Sequence, residues 1–279
     1  MKLFEKDSDA EPSHFKVCLC ENQMKMSLFT CLCRVFLMTF FVGTSSGVAE
    51  ETFPGQKSEA DLKQAGFVPL FDGSSLVNWD VQPWHEGHWT LANGILSYDG
   101  QAPHGKGKRA DLWTKEEFGD FELYVEWRLP AKPEMKPHPI VLYNGDFLMQ
   151  EENPRQRQTR MRLDAGDSGL YFRGSLKCQA NIWSQELGSG EINGYRTDKS
   201  MPQEVRRSCI PIKKADRPFG EWNTFLVTIQ GNVMSVKLNN ETVLPGATLP
   251  DLPESGPIAL QHHGDPVQFR KIWIRFPTQ

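Results

Sequence analysis

Three adjacent polar residues, Gln261, His262 and His263, close an apolar run that begins Gly256-Pro257-Ile258-Ala259-Leu260 and stops at Gly264. An extended chain points successive side chains to opposite faces, so Ala259, Gln261 and His263 share one face while Ile258, Leu260 and His262 share the other. The second face anchors in a core and the first can serve a ligand. Gln179, Asn181 and Trp183 alternate in the same way and present two amides and an indole from one face. That combination suits a sugar, whose hydroxyls pair with amides and whose C–H face stacks on an aromatic ring. Arg173 holds its proton and is a fixed set of donors, or else a salt-bridge partner for Glu122 or Glu126. Glu191, in Gly188-Ser189-Gly190-Glu191, is either a solvated loop carboxylate or one that a partly dry cleft raises toward acid–base work. Tyr195 follows it in Ile192-Asn193-Gly194-Tyr195-Arg196. His85 and His88 could join His262 or His263 around a divalent metal, although their spacing matches no recognised zinc signature. Asp265 either orients an imidazole through its second nitrogen or caps the Gly264 turn.

These residues need strands to carry them. Phe121, Leu123, Val125, Trp127 and Leu129 alternate with Glu122, Tyr124, Glu126 and Arg128, the period of a half-buried strand. Asn93-Gly94, Asn144-Gly145 and Gly231-Asn232 each separate two strand-like runs and mark hairpins. Val267, Phe269 and Trp273 are expected on one face of a last strand, with Ile272, Ile274 and Phe276 on the other. Many short strands with little helical periodicity predict an all-β sandwich. Two stretches break the rhythm: residues 130–166, expected to be an insertion, and residues 188–219, expected to fold over the ligand-bearing face. Long irregular stretches in compact domains are commonly functional or disordered.

The chain has 279 residues and a formal net charge of −4 with both signs interspersed, which gives nucleic acid no basic stripe and membranes no polybasic patch. Residues 35–42 form an apolar run after Lys25 and Arg34 and before small residues ending at Ala49. That order predicts a signal peptide over residues 1–49 with cleavage before Glu50, and export to a periplasmic or extracellular space. The run is short for a membrane span, so no stable span is expected after cleavage. Met24 and Met26 offer alternative starts, and an uncleaved anchor is the other option. Residues 50–65 read as a polar linker or a short helical lead-in, and one domain follows over 66–279. Cys178 and Cys209 are the two cysteines beyond the leader, and in an oxidising compartment they form either a disulfide or a pair of free thiols.

Five ordered blocks carry a family resemblance: Gly66-Phe67-Val68-Pro69-Leu70-Phe71-Asp72-Gly73, Gly119-Asp120-Phe121-Glu122-Leu123, Asp167 to Gly174 (DSGLYFRG), Gly220-Glu221-Trp222-Asn223, and the Gly256 to Gly264 strand. From about residue 66 to the end the chain resembles the 3-keto-disaccharide hydrolase domain family. The resemblance implies a concanavalin A-like jelly roll of two antiparallel sheets with a concave, sugar-binding face, and a hydrolase of 3-keto-glycosides. A 3-keto group acidifies the C2 hydrogen, so a base can form an enolate that expels the anomeric substituent, after which water adds back. On that chemistry His263 is the expected base, Arg173 with Gln261 the cradle for the enolate oxygen, and Glu191 the acid. Gln179, Asn181, Trp183, Gln261 and Tyr195 are the expected sugar-binding residues, and no cofactor is identified beyond the metal option. The family usually carries a carboxylate where Gln179 stands, a departure that favours the rival expectation of a carbohydrate-binding module without turnover. An exported structural or interaction protein is the third class, and it predicts no organised polar cluster on the concave sheet.

Overall fold

Apolar residues at period two become strands because an extended chain can then bury one side and solvate the other. A computed structural model describes residues 52–101 and 110–277. In chain order the elements begin with α1 (Glu59–Gln64), β1 (Val68–Phe71), β2 (Trp89–Ala92), β3 (Ile95–Asp99), β4 (Leu112–Trp113), β5 (Phe121–Arg128), β6 (Glu134–Pro139), β7 (Thr159–Asp164), β8 (Asp167–Phe172) and β9 (Ser175–Trp183). They continue with α2 (Asn193–Thr197), α3 (Gln203–Ser208), β10 (Asn223–Gln230), β11 (Val233–Leu238), β12 (Glu241–Thr248), β13 (Ala259–Leu260) and β14 (Pro266–Arg275). The expected signal peptide lies outside the described residues.

Two antiparallel sheets pack into a jelly-roll sandwich. The larger has the order β12-β11-β10-β5-β14-β3-β2, with β1 also paired to β14, and the smaller has the order β4-β13-β8-β9. Phe121, Leu123, Val125 and Trp127 of the larger sheet meet Leu170, Phe172, Cys178, Ala180, Ile182 and Leu260 of the smaller in one buried core. At about 1.5–3 kcal/mol for each large apolar side chain removed from water, this interleaving is what holds the sheets together. The other face of β8, β9 and β13 is left to point away from that core.

Three local features depart from simple alternation. First, β14 carries a bulge between Arg270 and Trp273, with Lys271 at a φ of 48°. The extra residue switches faces, so Val267 and Phe269 share the main core with Ile272 and Ile274, against the expected grouping. Trp273 instead joins Leu62, Phe67 and Tyr124 in a small cluster on the outer side of the sheet. Second, residues 59–64 are helical, started by a Ser58–Asp61 capping box, and Leu62 packs into that cluster. Third, Asn93-Gly94 forms the expected turn with both residues at positive φ, whereas at Asn144-Gly145 only the glycine is left-handed and the Asn144 side chain accepts from the Asp146 N–H.

Cys178 and Cys209 are free thiols, both fully buried. Burial pushes the Cys178 thiol far up and the Cys209 thiol up to about 12. Cys178 lies 3.8 Å from the Met234 sulfur, as a small hydrophobe of the core.

Candidate functional site

The free face of the smaller sheet is the floor of a cleft of about 360 Å³. Register decides its membership: Asp167 pairs with Trp183, Gly169 with Asn181 and Tyr171 with Gln179, so all six share one face. On the other side of β8, Ala259 pairs with Tyr171 and with Trp113, and the two rings stack over that small residue at 6.2 Å and 11°. Gln261 and His263 continue the Ala259 face beyond the end of β13, and both line the cleft. His262 turns the other way, is buried, and packs edge-on to Tyr98 at 5.5 Å.

The floor is tied by amides. Gln179 Nε2 donates to Gln261 Oε1 at 2.5 Å, and Gln261 Nε2 donates to the Tyr171 hydroxyl at 2.7 Å. The Gln261 backbone is held from both directions, its N–H donating to Gly169 O at 2.8 Å and its carbonyl accepting from Ser168 Oγ at 2.9 Å. A Cβ at position 169 would collide with Gln179 Nε2 and come to 3.0 Å from Ala180 O, so glycine is what allows the Gln179 amide to lie across β8. Asn181 lines the cleft with no side-chain hydrogen bond among the described residues. Trp183 is stacked on His138 at 5.4 Å, and His138 Nε2 lies 3.3 Å from Asp164 Oδ2.

A carboxyl and an imidazole, Asp167 and His263, meet on this floor. Asp167 Oδ2 lies 3.8 Å from His263 Nε2. Burial, together with the nearby Asp265 and Asp164 carboxylates, raises the Asp167 carboxyl well above the ordinary aspartate range. Asp265 Oδ2 accepts from the Asp167 N–H at 3.0 Å, so Asp265 ties the corner to the start of β8 and does not merely cap its own turn. The His263 side chain is half exposed.

Both long connections reach this face. Residues 130–166 form the β6–β7 hairpin and its extension, which bring Phe147 and Arg157 to the cleft; residues 188–219 bring Asn193, Gly194 and Thr197. Phe147 lies between two guanidiniums, Arg157 at 3.9 Å and Arg196 at 4.6 Å from its ring.

Three expected site residues lie elsewhere. Glu191 is fully buried, ion-paired with Arg196 and accepting from Gln185 Nε2 at 2.7 Å. Arg196 also donates to Gly145 O and Asn193 Oδ1, so the pair fastens the two long loops together and has no access to substrate. Arg173 sits after a register shift in β8 and at a φ of 50°, which turns its side chain under the sheet. There its guanidinium donates to Gly119 O, Gly231 O, Pro253 O and Asp120, a junction of three turns and not the expected salt bridge to Glu122 or Glu126. Tyr195 is buried with its hydroxyl donating to Pro250 O. For the metal option, His85 Nδ1 accepts from the Gln82 N–H and His88 pairs with Asp99 at 2.9 Å. Among the described residues no group of three or more His, Cys, Asp or Glu is placed to hold an ion.

Asp167 and Tyr171 escaped the sequence reading although their signal was present, since they follow the same i, i+2, i+4 alternation as Gly169 in the Asp167 to Gly174 block. Phe147 and Arg157 carry no such local signal.

A family model described as a 3-keto-alpha-glucoside-1,2-lyase-like domain matches residues 66–275. No curated protein matches the chain. Among solved structures, one of a candidate glycosyl hydrolase from Parabacteroides distasonis is 20% identical over 86% of this chain and 99% of its own, with a TM-score of 0.50, a likeness of fold. A second from the same organism is 15% identical over 81% and 100%, with a TM-score of 0.49. The carbohydrate-binding module CBM66 from Bacillus subtilis is 11% identical over 71% and 95%, with a TM-score of 0.40. With three quarters of its length matched in sequence order, the chain belongs to the 3-keto-alpha-glucoside-1,2-lyase-like domain family, a glycosyl hydrolase-like, carbohydrate-active group.

Proposed function

We propose that this protein cleaves 3-keto-glycosides by elimination across C1 and C2 followed by hydration. The observation that carries the proposal is the meeting of His263 and the Asp167 carboxyl, 3.8 Å apart, on one amide- and aromatic-lined cleft floor. His263 takes the C2 proton, the electron pair moves into an enolate at O3, and the C1–O bond breaks. Asp167 gives its proton to the departing oxygen, and water then adds to C1 while a proton returns to C2. Glu191 and Arg173, buried in their own networks, take no part. The enolate cradle falls to the Asn181 and Gln261 amides and the Tyr171 hydroxyl. A carboxyl is thereby supplied from β8 where the family's usual one is replaced by Gln179. Export remains part of the proposal, resting on the leader alone.

The test is incubation with 3-keto-disaccharides in D2O. Elimination and readdition place deuterium at C2 of the released 3-keto-sugar; direct displacement at C1 does not. A general acid or base is worth about 10² to 10⁴ in rate, so His263→Ala and Asp167→Asn should each lower kcat by that order while leaving affinity within a few fold. Turnover without C2 deuterium refutes the mechanism. Saccharide binding by calorimetry without any turnover returns the protein to the binding-module class.

A further inference from the structure

One wall of the cleft holds a cation that no carboxylate of the chain answers. The extension of the β6–β7 hairpin turns back on itself, so that Arg157 bridges to Met149. On either side the Gln150 N–H donates to Gln156 O at 2.9 Å and the Gln158 N–H to Leu148 O at 2.7 Å. That pairing delivers Arg157 and Phe147 to the cleft that holds Asp167 and His263. The Arg157 guanidinium sits over the Phe147 ring at 3.9 Å, and the same ring is held at 4.6 Å by Arg196, which is buried and fixed by Glu191 and the Gly145 carbonyl. A guanidinium seated on a ring face keeps N–H donors at its edge while the contact restricts its rotamers.

The charges around Phe147 do not balance. Arg196 is paired with Glu191, and Arg206 and Lys199 share Asp146, so with Arg157 four cations stand against two carboxylates. Farther along the strand Arg160 and Arg162 share Glu186, whereas Arg157 forms no ion pair among the described residues. On the cleft floor the Asp167 carboxyl is opposed by His263. An exposed guanidinium is well solvated, and an ordinary surface ion pair is worth little because two long side chains must be ordered to make it. Here the ring has already ordered the donor at the edge of an amide-lined cleft, so a planar carboxylate can take two N–H bonds at small further cost. We infer that Arg157 is a specificity residue that selects saccharides carrying a carboxylate, as on a uronic acid unit, over their neutral counterparts. This rests on the cleft receiving a saccharide, as proposed above.

The test is calorimetry of the full chain with three disaccharides of one linkage: α-linked glucuronosyl-glucose, glucosyl-glucose, and the latter sulfated on the carbon that bears the carboxylate in the first. The parent should bind the uronate about 10-fold more tightly than the neutral disaccharide, the worth of a charge-assisted hydrogen-bonded contact. The preference should shrink at high salt, since the pair is partly exposed. Arg157→Gln should abolish the preference while leaving the neutral affinity within a few fold. Arg155→Gln removes the same charge from an exposed position of the same hairpin outside the cleft, and it should keep the preference. The inference is overturned if the parent binds the uronate no better than the neutral disaccharide, or binds neither. It is also overturned if Arg157→Gln weakens both alike, which would make Arg157 a structural support, or if Arg155→Gln removes the preference equally. Tighter binding of the sulfated disaccharide than of the uronate would overturn the carboxylate assignment. A uronate preference without any 3-keto turnover keeps this inference and removes the proposed reaction; turnover of 3-keto-disaccharides with C2 deuterium but no uronate preference does the reverse.

Discussion

Replacing Asp111 by asparagine should flatten the pH dependence of stability. Asp111 is 4% exposed, and its Oδ1 accepts the His262 N–H at 2.8 Å, which fixes the corner that delivers His263. Burial raises its carboxyl from 3.8 to about 7 in the folded chain, against the smaller opposing pull of the His262 N–H. The folded protein therefore keeps a proton that the unfolded chain releases between those values. Stability is full below about 4, falls as pH rises, and has lost the whole contribution above about 7. About three pKa units at ~1.36 kcal/mol each make that loss ~4 kcal/mol, of which roughly 2.5 kcal/mol falls between pH 5 and pH 8. Asparagine keeps the acceptor and has no proton to lose, while the other titrating groups are common to both proteins and cancel in the comparison. Urea unfolding of both at pH 5 and pH 8 gives the two differences. The parent should lose about 2.5 kcal/mol more than Asp111→Asn over that interval. Equal losses would show that Asp111 ionises in the folded state as it does in water, and the account of its burial would fail.

Gly169→Ala should displace the Gln179 amide from Gln261, because the new methyl needs the space that amide occupies; saccharide affinity should drop while the fold persists, as read by calorimetry and circular dichroism. Glu191→Gln leaves the Arg196 charge buried without its partner and should cost about 3–5 kcal/mol in urea unfolding. An effect on kcat at full stability would instead restore Glu191 to the chemistry. Cys178 and Cys209 should resist a thiol reagent at pH 8 until the chain unfolds, since burial holds both as neutral thiols; fast labelling of the native protein would contradict their placement. Intact-mass measurement of secreted material should give a chain beginning at Glu50, and a mass that includes residues 1–49 would overturn the proposed cleavage after Ala49.

Much of the cleft was legible in the sequence because it is written in period two. The alternation of Gln179, Asn181 and Trp183, and of Gln261 and His263 against His262, assigned faces correctly from strand geometry alone. The same alternation through Asp167, Gly169 and Tyr171 was available as well. It failed wherever the backbone left the ideal strand, at the β14 bulge and at the shift before Arg173, since one irregular residue exchanges the two faces. Glu191 shows a different limit. A carboxylate among glycines looks mobile in sequence, and only its burial against Arg196, 51 residues from the Gly145 carbonyl that guanidinium also binds, made it a structural pin. The sequence alone therefore determined the β-sandwich, the family and the strands that carry the cleft, because these rest on local periodicity and ordered motifs. The tertiary structure decided which charges face that cleft, since desolvation and ion pairing are set by neighbours that come from anywhere in the chain.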